Sequence, residues 1–553
     1  MESAEQIISV DKLHISFGEK SRIVVVNDLS FSINKGKTLA IVGESGSGKS
    51  LTALALMGLL PANANVDGEI IFNPTAQPYS LTHINNRDWI KLRGKEEGII
   101  FQEPMSALNP IMKIGRQLKE AIAVHTNTNN KDAKRIAIEW LNKVQLPTPE
   151  KIYDRYPHQL SGGQKQRVMI AMAMCHHPLL LIADEPTTAL DVTVQQEIIR
   201  LMGYLQQEHH TAMLFITHDL ALATEIADDI LVMQNGSAVE YGITAQILNT
   251  PVQLYTKALF ASRPSQAQKG KRLLTVADLM ENNVAPAQPN KIIKDDNRNL
   301  LSVDNLRVWF PEKNKTSFKA VDGVSFSINK GEVLGLLGES GCGKSTLSRA
   351  LMGLLPVTDG NIYYDGNNVT GYSSRQWNEV RKYMQIIFQD PYASLNPRMT
   401  IGNIISEPMK VHSIVPDNQL AAETKRLLDL VHLPSDAMHR YPHQFSGGQR
   451  QRIGIARALA LRPQILICDE SVSALDVSVQ AQILNLMKDL QYELGLTYLF
   501  ISHDLAVVHY ISDRIMVMKE GKIVETGTAD AIINNPQNDY TRRLLNAMPK
   551  MSA

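Results

Sequence analysis

Continuous apolar runs of strand length alternate with stretches of helical spacing, and the alternation occurs twice along the chain. TLAIV (residues 38–42) and LLLIA (179–183) are such runs in the first half, and VLGLL (333–337) and ILIC (465–468) are their counterparts in the second. Uninterrupted apolar runs of this length are typical of strands buried on both faces. The pattern therefore predicts an α/β fold in which each half has a mainly parallel sheet.

The two halves also repeat each other in sequence. FSINKG occurs at residues 31–36 and returns 295 positions later, as does LMGLLP, and the segment YPHQLSGGQKQR (156–167) returns as YPHQFSGGQRQR (441–452), 285 positions later. A repeat this long indicates a duplicated domain rather than a short solenoid unit.

A polar, lysine-rich stretch with Ala-Pro and Gln-Pro steps separates the copies. Its composition is typical of a connector, and a short helix is expected within it near 273–280. The predicted organisation is a first domain at residues 1–262, a connector at 263–298 and a second domain at 299–553.

Composition narrows the classes of function. The chain has 553 residues, and Lys+Arg and Asp+Glu are equal at 56 each, so no basic field indicates a nucleic-acid partner. The N-terminal residues do not resemble a secretory signal, and no apolar run approaches the ~20 residues that cross a bilayer. A role at a membrane is therefore expected to depend on other polypeptides. Three widely spaced cysteines, Cys175, Cys342 and Cys468, favour a reducing setting over a disulfide frame.

A glycine-rich segment follows the first apolar run of each copy, and both segments fit the pattern G-x-x-x-x-G-K-[ST]. Glycines let the backbone N–H groups turn towards phosphate oxygens, helped by the dipole of the following helix. The lysine is expected to reach the β- and γ-phosphates of ATP and the next serine to ligate Mg²⁺. An accidental match at two equivalent positions is negligible. The predicted nucleotide-binding residues are Gly43, Ser45, Gly46, Gly48, Lys49, Ser50 and Leu51, with Gly338, Ser340, Gly341, Gly343, Lys344, Ser345 and Thr346 in the second copy.

An acidic pair ends a buried apolar run in each copy: Asp184-Glu185 and Asp469-Glu470. The first carboxylate of each pair suits the Mg²⁺ shell, and the second suits polarising an attacking water. Such a pair alone is also typical of a solvated turn. Its place after a phosphate-binding loop in both copies favours catalysis.

Histidine and glutamine side chains follow further apolar runs. His218 and His503 are predicted to contact the γ-phosphate, the alternative being a structural histidine. Gln102 and Gln389 are predicted to reach Mg²⁺ or the attacking water, the alternative being a loop glutamine. The remaining histidine pairs lack partners at metal spacing and are expected on the surface: His176, His177, His209 and His210.

The repeated segment with Ser-Gly-Gly-Gln precedes a helical stretch in each copy. Serine is a good N-cap, and the exposed N–H groups of a helix N-terminus form an anion cradle. Because each copy already has one phosphate-binding loop, this second cradle needs another purpose. The residues concerned are Ser161, Gly162, Gly163 and Gln164, and Ser446, Gly447, Gly448 and Gln449.

With these motifs in this order in both halves, the chain resembles the ATP-binding-cassette (ABC) family over nearly its whole length. Ala189–Asp191 and Ala474–Asp476 resemble the family's D-loops. The resemblance implies two P-loop cassettes, each with an antiparallel β subdomain and a helical signature subdomain, forming an intramolecular pseudo-dimer.

In this family two cassettes pack head-to-tail with two ATP molecules between them. The resemblance therefore implies that Ser446-Gly447-Gly448-Gln449 complete the site built on Lys49, and that the segment from Ser161 completes the site built on Lys344. It further implies two hydrolytic sites. Phe17 and Phe310 occupy the position where the family stacks an aromatic ring on adenine; a strand-core aromatic is the alternative.

A narrower resemblance is to the ATPases of the oligopeptide, dipeptide and nickel importers. FQEPMSALNP, FQDPYASLNP and the two C-terminal tails carry it. It implies a peripheral ATPase on the cytoplasmic face of a bacterial inner membrane, coupled to two integral permease subunits and, indirectly, to an extracytoplasmic substrate-binding protein. Ser-Val-Ser after Glu470 departs from the usual Pro-Thr-Thr. The tails also lack the cysteine cluster of some relatives, so no cluster is expected.

The expected function is an ATP-hydrolysing, energy-coupling subunit of an importer, with peptides as the cargo. The alternative is a soluble tandem ABC ATPase that acts on ribosomes or DNA. The short, proline-bearing connector and the absence of zinc-binding cysteine groups disfavour that alternative, and no nucleic-acid partner is expected.

Overall fold

The chain, as a computed structural model, divides into two compact units between Phe260 and Ala261. The residues it describes are 5–18, 22–74, 78–102, 107–188, 190–264, 268–280, 298–311, 317–390, 392–473 and 475–547.

Each unit contains one four-stranded and one six-stranded sheet. The strands of the first unit are β1 (Gln6–Phe17), β2 (Ile23–Asn34), β3 (Thr38–Gly43), β4 (Ala64–Phe72), β5 (Tyr79–Ser80), β6 (Glu97–Ile100), β7 (Leu180–Asp184), β8 (Ala212–Thr217), β9 (Asp229–Gln234) and β10 (Ser237–Ile243). The smaller sheet is antiparallel with the order β2-β1-β4-β5, and the larger sheet has the order β10-β9-β3-β8-β7-β6. Only β10 runs antiparallel in the larger sheet, next to β9.

The second unit repeats this topology. Its strands are β11 (Asn299–Pro311), β12 (Ser317–Asn329), β13 (Val333–Leu337), β14 (Asp359–Tyr364), β15 (Asn367–Asn368), β16 (Met384–Ile387), β17 (Ile465–Asp469), β18 (Thr497–Ser502), β19 (Arg514–Lys519) and β20 (Lys522–Thr528). The orders are β12-β11-β14-β15 and β16-β17-β18-β13-β19-β20. The predicted α/β class with mainly parallel sheets and an antiparallel β subdomain is confirmed.

Helices cover the sheets and form a helical subdomain in each unit. In the first unit they are Lys49–Leu56, Asn86–Leu92, Ile114–Val124, Asn130–Lys143, Pro149–Tyr153, Gly162–Met174, Val192–His209, Leu220–Ile226, Thr244–Asn249 and Leu254–Ala261. In the second they are Val276–Met280, Lys344–Leu351, Ser374–Tyr383, Ile401–Val411, Leu420–Leu430, Gly447–Leu459, Val477–Leu494, Leu505–Ile511, Ala529–Asn534 and Asp539–Asn546, with short 3₁₀ turns between some of them.

Strand order brings the chemically important loops to one edge of each large sheet. Strand β3 lies between β8 and β9, and β8 lies next to β7, all parallel. Val42 is therefore paired with Thr217, and Asp184 with Ile216. Because the carboxyl ends of parallel strands meet at one edge, the residues that follow β3, β7 and β8 converge there.

Part of the predicted connector packs against the second unit. Leu273 is fully buried, its backbone N–H donates to Asn485 Oδ1 (3.1 Å), and Arg272 forms an ion pair with Asp489 (2.9 Å). The helix Val276–Met280 falls inside the range where a short helix was predicted. Residues 265–267 and 281–297 of the connector lie outside the described residues.

The expectation that the paired histidines are surface residues is wrong for two of them. The His209 side chain is only 13% exposed and packs against His177 (ring centroids 4.2 Å apart) and Trp140. His176 is half-buried and hydrogen-bonds the Ala121 carbonyl. The helices that bring these rings together are separated in sequence, so local spacing did not reveal the cluster. In the described parts of the chain no group of three His, Cys, Asp or Glu residues is arranged to hold a metal ion.

Among the described residues, no helix combines the length and the apolar character that a bilayer crossing needs.

Candidate active sites

Each glycine-rich loop adopts a backbone that only glycine tolerates. Gly46 and Gly48 have φ angles of 82° and 98°, and Gly341 and Gly343 have 79° and 112°. A Cβ at Gly343 would also lie 2.1 Å from the Ala320 carbonyl oxygen. Backbone conformation favours glycine at all four positions, and close packing adds to this preference at Gly48 and Gly343.

The lysine of each loop folds back over it. Lys49 Nζ donates to the carbonyls of Gly43 (2.9 Å) and Glu44 (2.8 Å), and its residue is 5% exposed. Lys344 Nζ donates in the same way to Gly338 (2.7 Å) and Glu339 (3.0 Å). Each ammonium group is therefore fixed at its loop, where a bound phosphate would meet it.

The serine after each lysine contacts the first carboxylate of the acidic pair. Ser50 Oγ donates to Asp184 Oδ1 (3.0 Å), and Ser345 Oγ donates to Asp469 Oδ1 (3.2 Å). Burial raises the pKa of both aspartates above the usual value, and the serine hydroxyls oppose that effect. A hydroxyl beside a carboxylate is a pair of hard oxygen donors, the ligand type that Mg²⁺ prefers. The residues present therefore fit a magnesium ion.

The second carboxylate of each pair lies between the predicted glutamine and histidine. Gln102 Nε2 donates to Glu185 Oε2 (3.0 Å), and His218 Nδ1 lies 3.3 Å from Glu185 Oε1. In the second unit, Glu470 Oε2 is 2.9 Å from Gln389 Nε2 and 3.5 Å from His503 Nδ1. All four of these side chains thus contact the glutamates, a contact that the sequence analysis did not predict.

Both glutamates have a left-handed backbone, with φ of 45° at Glu185 and 50° at Glu470. A non-glycine residue in that region costs about 1–3 kcal/mol and persists where the surroundings fix it. Here the backbone N–H groups donate to Ile216 and Ile501 (2.9 Å each). The strain directs each carboxylate to the carboxyl edge of the sheet.

The glutamates are held ionised. Burial alone would raise the pKa of Glu185, but the hydrogen bond and charge of His218, with Thr188 and Lys49, lower it to about 2. For Glu470 burial is likewise outweighed by His503 and Lys344, and its pKa is lowered. Burial would lower the pKa of His218, but Glu185 raises it. Each site therefore presents a carboxylate at neutral pH.

Three contacts in the sites were missed in the sequence. Thr188 Oγ1 donates to Glu185 Oε2 (2.9 Å), whereas the equivalent Ser473 donates to the backbone oxygen of Glu470 (2.8 Å). Ser348 Oγ lies 3.0 Å from Asp469 Oδ2. Aligning the two copies position by position would have paired Thr188 with Ser473 as hydroxyl-bearing residues, whereas Ser348 aligns with Ala53 and gives no such signal.

The Ser-Gly-Gly-Gln segments begin helices, as predicted. Ser161 Oγ accepts from Gln164 N (3.3 Å), Gln164 Oε1 accepts from Ser161 N, and the same capping box surrounds Ser446 and Gln449. Ser161, Gly162, Ser446 and Gly447 are exposed, so the start of each of these helices lies at the surface of its own unit. Gly163 packs tightly, because a Cβ there would lie 2.6 Å from Val194 Cγ1.

The remaining predicted residues lie at strand and loop ends. Phe17 and Phe310 are near the ends of β1 and β11, and both rings are partly exposed, Phe310 by 38%. Of the D-loops, Ala189 and Ala474 lie outside the described residues, while Asp191 and Asp476 are the N-cap residues of the helices Val192–His209 and Val477–Leu494.

Sequence comparison matches two family models. The model described as ABC transporter matches residues 26–188 and again residues 321–473. The model described as oligopeptide/dipeptide transporter, C-terminal region, matches residues 239–288 and 524–553.

Among curated proteins, the chain is similar to the glutathione import ATP-binding protein GsiA. The Escherichia coli (strain K12) protein is 46% identical over 560 aligned residues, covering 99% of this chain and 90% of the relative. The Shigella sonnei (strain Ss046) protein has the same identity and coverage.

Among solved structures, two matches cover about half of the chain or less. One is a dimeric ATP-binding cassette in a post-hydrolysis state with ADP and phosphate (26% identity, 41% of this chain, 98% of that chain, TM-score 0.39). The other is a Clostridium perfringens component of the cbiONQ transporter complex (28% identity, 46% of this chain, 96% of that chain, TM-score 0.40).

Proposed function

The chain belongs to the ABC transporter family, as a fused pair of ATP-binding cassettes of the oligopeptide/dipeptide type, and from this premise we propose that it powers the import of peptides or peptide-like solutes such as glutathione. It is an ATPase. One observation carries the proposal: a complete set of lysine, serine, aspartate, glutamate, glutamine and histidine is assembled at the sheet edge of each cassette, in a chain matched end to end by an importer protein.

ATP would bind with its phosphates against the glycine-rich loops. Lys49 and Lys344 are already held there by carbonyls of the same loops, and a phosphate offers each ammonium group a charged acceptor in their place. Phe17 and Phe310 would support the adenine, since both rings have an exposed part.

Mg²⁺ would be held by Ser50 and Asp184 in the first cassette and by Ser345 and Asp469 in the second, with Gln102 and Gln389 nearby. When bound, the ion neutralises charge that develops on the β- and γ-phosphate oxygens. The hydroxyl and carboxylate of each pair are already within 3.2 Å of each other, so the chain supplies both donors without rearranging its backbone.

Glu185 and Glu470 would act on the attacking water. Each is ionised at neutral pH and can accept a proton from the attacking water. As the proton leaves, the water oxygen bonds to the γ-phosphorus, and the bond between the γ-phosphorus and the β–γ bridging oxygen breaks. His218 and His503 hold the carboxylates in place through Nδ1, and Gln102 and Gln389 through Nε2. The products are ADP and phosphate.

The two Ser-Gly-Gly-Gln segments, here called the signature segments, would each complete the site of the opposite cassette. The exposed start of each signature helix is capped by side chains of its own unit. N–H groups at a helix start suit a γ-phosphate. In this arrangement Ser446 serves the site of Lys49, and Ser161 serves the site of Lys344.

Energy would be passed to integral permease subunits, and this chain would dock on their cytoplasmic side. An importer ATPase implies such partners, because ATP hydrolysis by this chain must be coupled to a path for the solute through the membrane. We further propose two permease subunits and an extracytoplasmic binding protein that delivers the solute.

The test is affinity purification of the tagged chain from detergent-solubilised membranes, followed by reconstitution. We expect two integral proteins to co-purify. Proteoliposomes that contain them together with this chain should accumulate labelled di- and tripeptides or glutathione only when ATP is present on the side of the membrane where the cassettes lie. Recovery of ribosomes or DNA without integral proteins would overturn the importer and favour the soluble alternative.

A further inference from the structure

One of the buried differences between the two active sites lies on the helix that follows each glycine-rich loop. Ser348 lies on the helix Lys344–Leu351, and Ala53 occupies the equivalent position on the helix Lys49–Leu56. Both residues are fully buried. The second cassette thus has a hydroxyl group where the first has only a methyl group.

The Ser348 hydroxyl is directed at the proposed metal-binding carboxylate. Its Oγ lies 3.0 Å from Asp469 Oδ2 and 3.0 Å from the Ser345 carbonyl oxygen. A hydroxyl has one proton to donate, and a hydrogen bond to a charged carboxylate is roughly twice as strong as one to a neutral carbonyl. The proton therefore goes to Asp469 whenever that carboxyl group is ionised.

Asp469 is consequently held at both oxygens by hydroxyl groups of a single helix. Ser345 occupies Oδ1 (3.2 Å), and Ser348 occupies Oδ2. In the first cassette Ser50 occupies Asp184 Oδ1 (3.0 Å), and Ala53 has no hydroxyl group to offer the other oxygen. When Ser345 ligates a metal ion, Asp469 keeps the Ser348 hydroxyl as a hydrogen-bond donor. When Ser50 does so, the helix Lys49–Leu56 has no serine at the position of Ser348 to donate to Asp184.

We propose that Ser348 is a positioning residue for Asp469 and that, as a result, the second cassette binds the divalent cation of its nucleotide more tightly than the first. The inference rests on the proposed metal sites. Partners that orient a metal ligand commonly change metal affinity by about 10- to 100-fold when removed. A single neutral hydroxyl group belongs at the lower end of that range, so we expect about tenfold.

The consequence is an unequal pair of sites in one chain. The site built on Lys344 would hold its cation more tightly than the site built on Lys49, although each has the same pair of serine and aspartate ligands.

The experiment measures metal binding rather than activity. In the full chain carrying Glu185→Gln and Glu470→Gln to block hydrolysis, Mn²⁺ is titrated in saturating ATP, and the electron paramagnetic resonance signal of free Mn²⁺ reports binding. Adding Lys49→Ala or Lys344→Ala assigns each affinity class to a cassette. We expect two classes, with Ser348→Ala weakening the second-cassette class about tenfold and leaving the first unchanged.

A matched control is the buried Thr52 of the first cassette, whose hydroxyl donates only to the Gly48 carbonyl (3.0 Å) among the contacts found for it. Thr52→Val removes a buried hydroxyl from the corresponding helix without touching a carboxylate, so neither class should move. If Ser348→Ala does not fold, Ser348→Cys keeps the volume with only a weak S–H donor, and the same weakening is expected.

Three results would overturn the proposal. Unchanged affinities in Ser348→Ala, equal weakening of both classes, or a Thr52→Val effect as large as that of Ser348→Ala would each show that Ser348 does not act through Asp469. Absence of any ATP-dependent Mn²⁺ binding in the parent chain would remove the proposed metal sites as well, which distinguishes that failure from the others.

Discussion

At the scale of single residues, the proposed chemistry depends on keeping two largely buried glutamates charged, with side chains that are 13% and 10% exposed. Burial opposes ionisation, and His218 with its neighbours overcomes it at Glu185 by enough to lower the pKa to about 2. The sequence singled out the glutamates, glutamines and histidines, but not the contacts among them. It did not indicate the donors Thr188 and Ser348, because a hydroxyl group three or four positions from a motif has many possible acceptors.

Replacing the glutamates should separate binding from hydrolysis. Glu185→Gln and Glu470→Gln keep the hydrogen-bonding shape but remove the base, so each variant should lose steady-state phosphate release by about 10²-fold or more. The double variant should retain bound ATP, measured by filter binding after gel filtration. A single variant with unchanged turnover would show that its site does not contribute to hydrolysis.

Another buried carboxyl group, that of Glu97, has no part in the proposed reaction. It is fully buried on β6, and in the described structure neither carboxyl oxygen has a hydrogen-bond partner. Burial, only partly offset by Arg93, raises its pKa from the ordinary 4.5 to about 8. Met384 occupies the equivalent strand position in the second unit, so the fold does not need a carboxyl group there.

Glu97 should therefore make stability depend on pH. Between pH 4.5 and about 8 the folded chain keeps a proton that the unfolded chain releases, so stability falls as pH rises through this window, by at most about 1.4 kcal/mol per pH unit. Glu97→Met should raise the melting temperature, with the gain over wild type growing from pH 6 to pH 8. Glu96→Gln is the control. A difference in melting temperature between Glu97→Met and wild type that stays constant from pH 6 to pH 8 would contradict the expectation.

At the scale of elements, the position of each signature helix depends on a glycine at its start. Gly163 and Gly448 let the helices Gly162–Met174 and Gly447–Leu459 approach the helices that follow the D-loops, where Val194 and Val479 pack. Because the proposed sites use the exposed starts of these helices, packing inside one unit sets where the signature lies.

Gly163→Ala should displace its helix. The added Cβ would lie 2.6 Å from Val194 Cγ1, a clash that requires movement and costs about 1–3 kcal/mol. We expect lower melting temperature and lower ATPase activity. Val194→Ala makes room for the new methyl group, so the double variant should match Val194→Ala alone in both measurements; purely additive losses would exclude the packing explanation.

At the scale of the whole molecule, fusion of two cassettes gives each one a partner at high effective concentration. Part of the connector packs on the second unit through Leu273 and Arg272.

The crossed arrangement predicts which site each signature serine serves. Ser446→Ala removes a helix cap in the second cassette, yet it should reduce photolabelling by an azido-ATP probe at the peptide that contains Lys49. Ser161→Ala should reduce labelling at the peptide that contains Lys344. Loss of labelling in the same cassette as the substitution would contradict the crossed sites.

The sequence by itself determined the duplication and the α/β class, and it singled out the groups that are proposed to react. The glycine-rich loops are continuous stretches, so their conformation and their chemistry follow from neighbouring residues. Each acidic pair ends an apolar run, which the strand pattern locates without a structure. Lys49, Asp184 and His218 were therefore within reach of local reasoning.

Only the tertiary structure decided how those groups are tuned. The Ser50–Asp184 contact joins residues 134 positions apart, and Ser348 reaches Asp469 across 121 positions. The burial of Glu97 likewise depends on what packs over a strand. Such contacts follow from the packing of distant elements and from the choice among competing acceptors, and neither is encoded in local spacing.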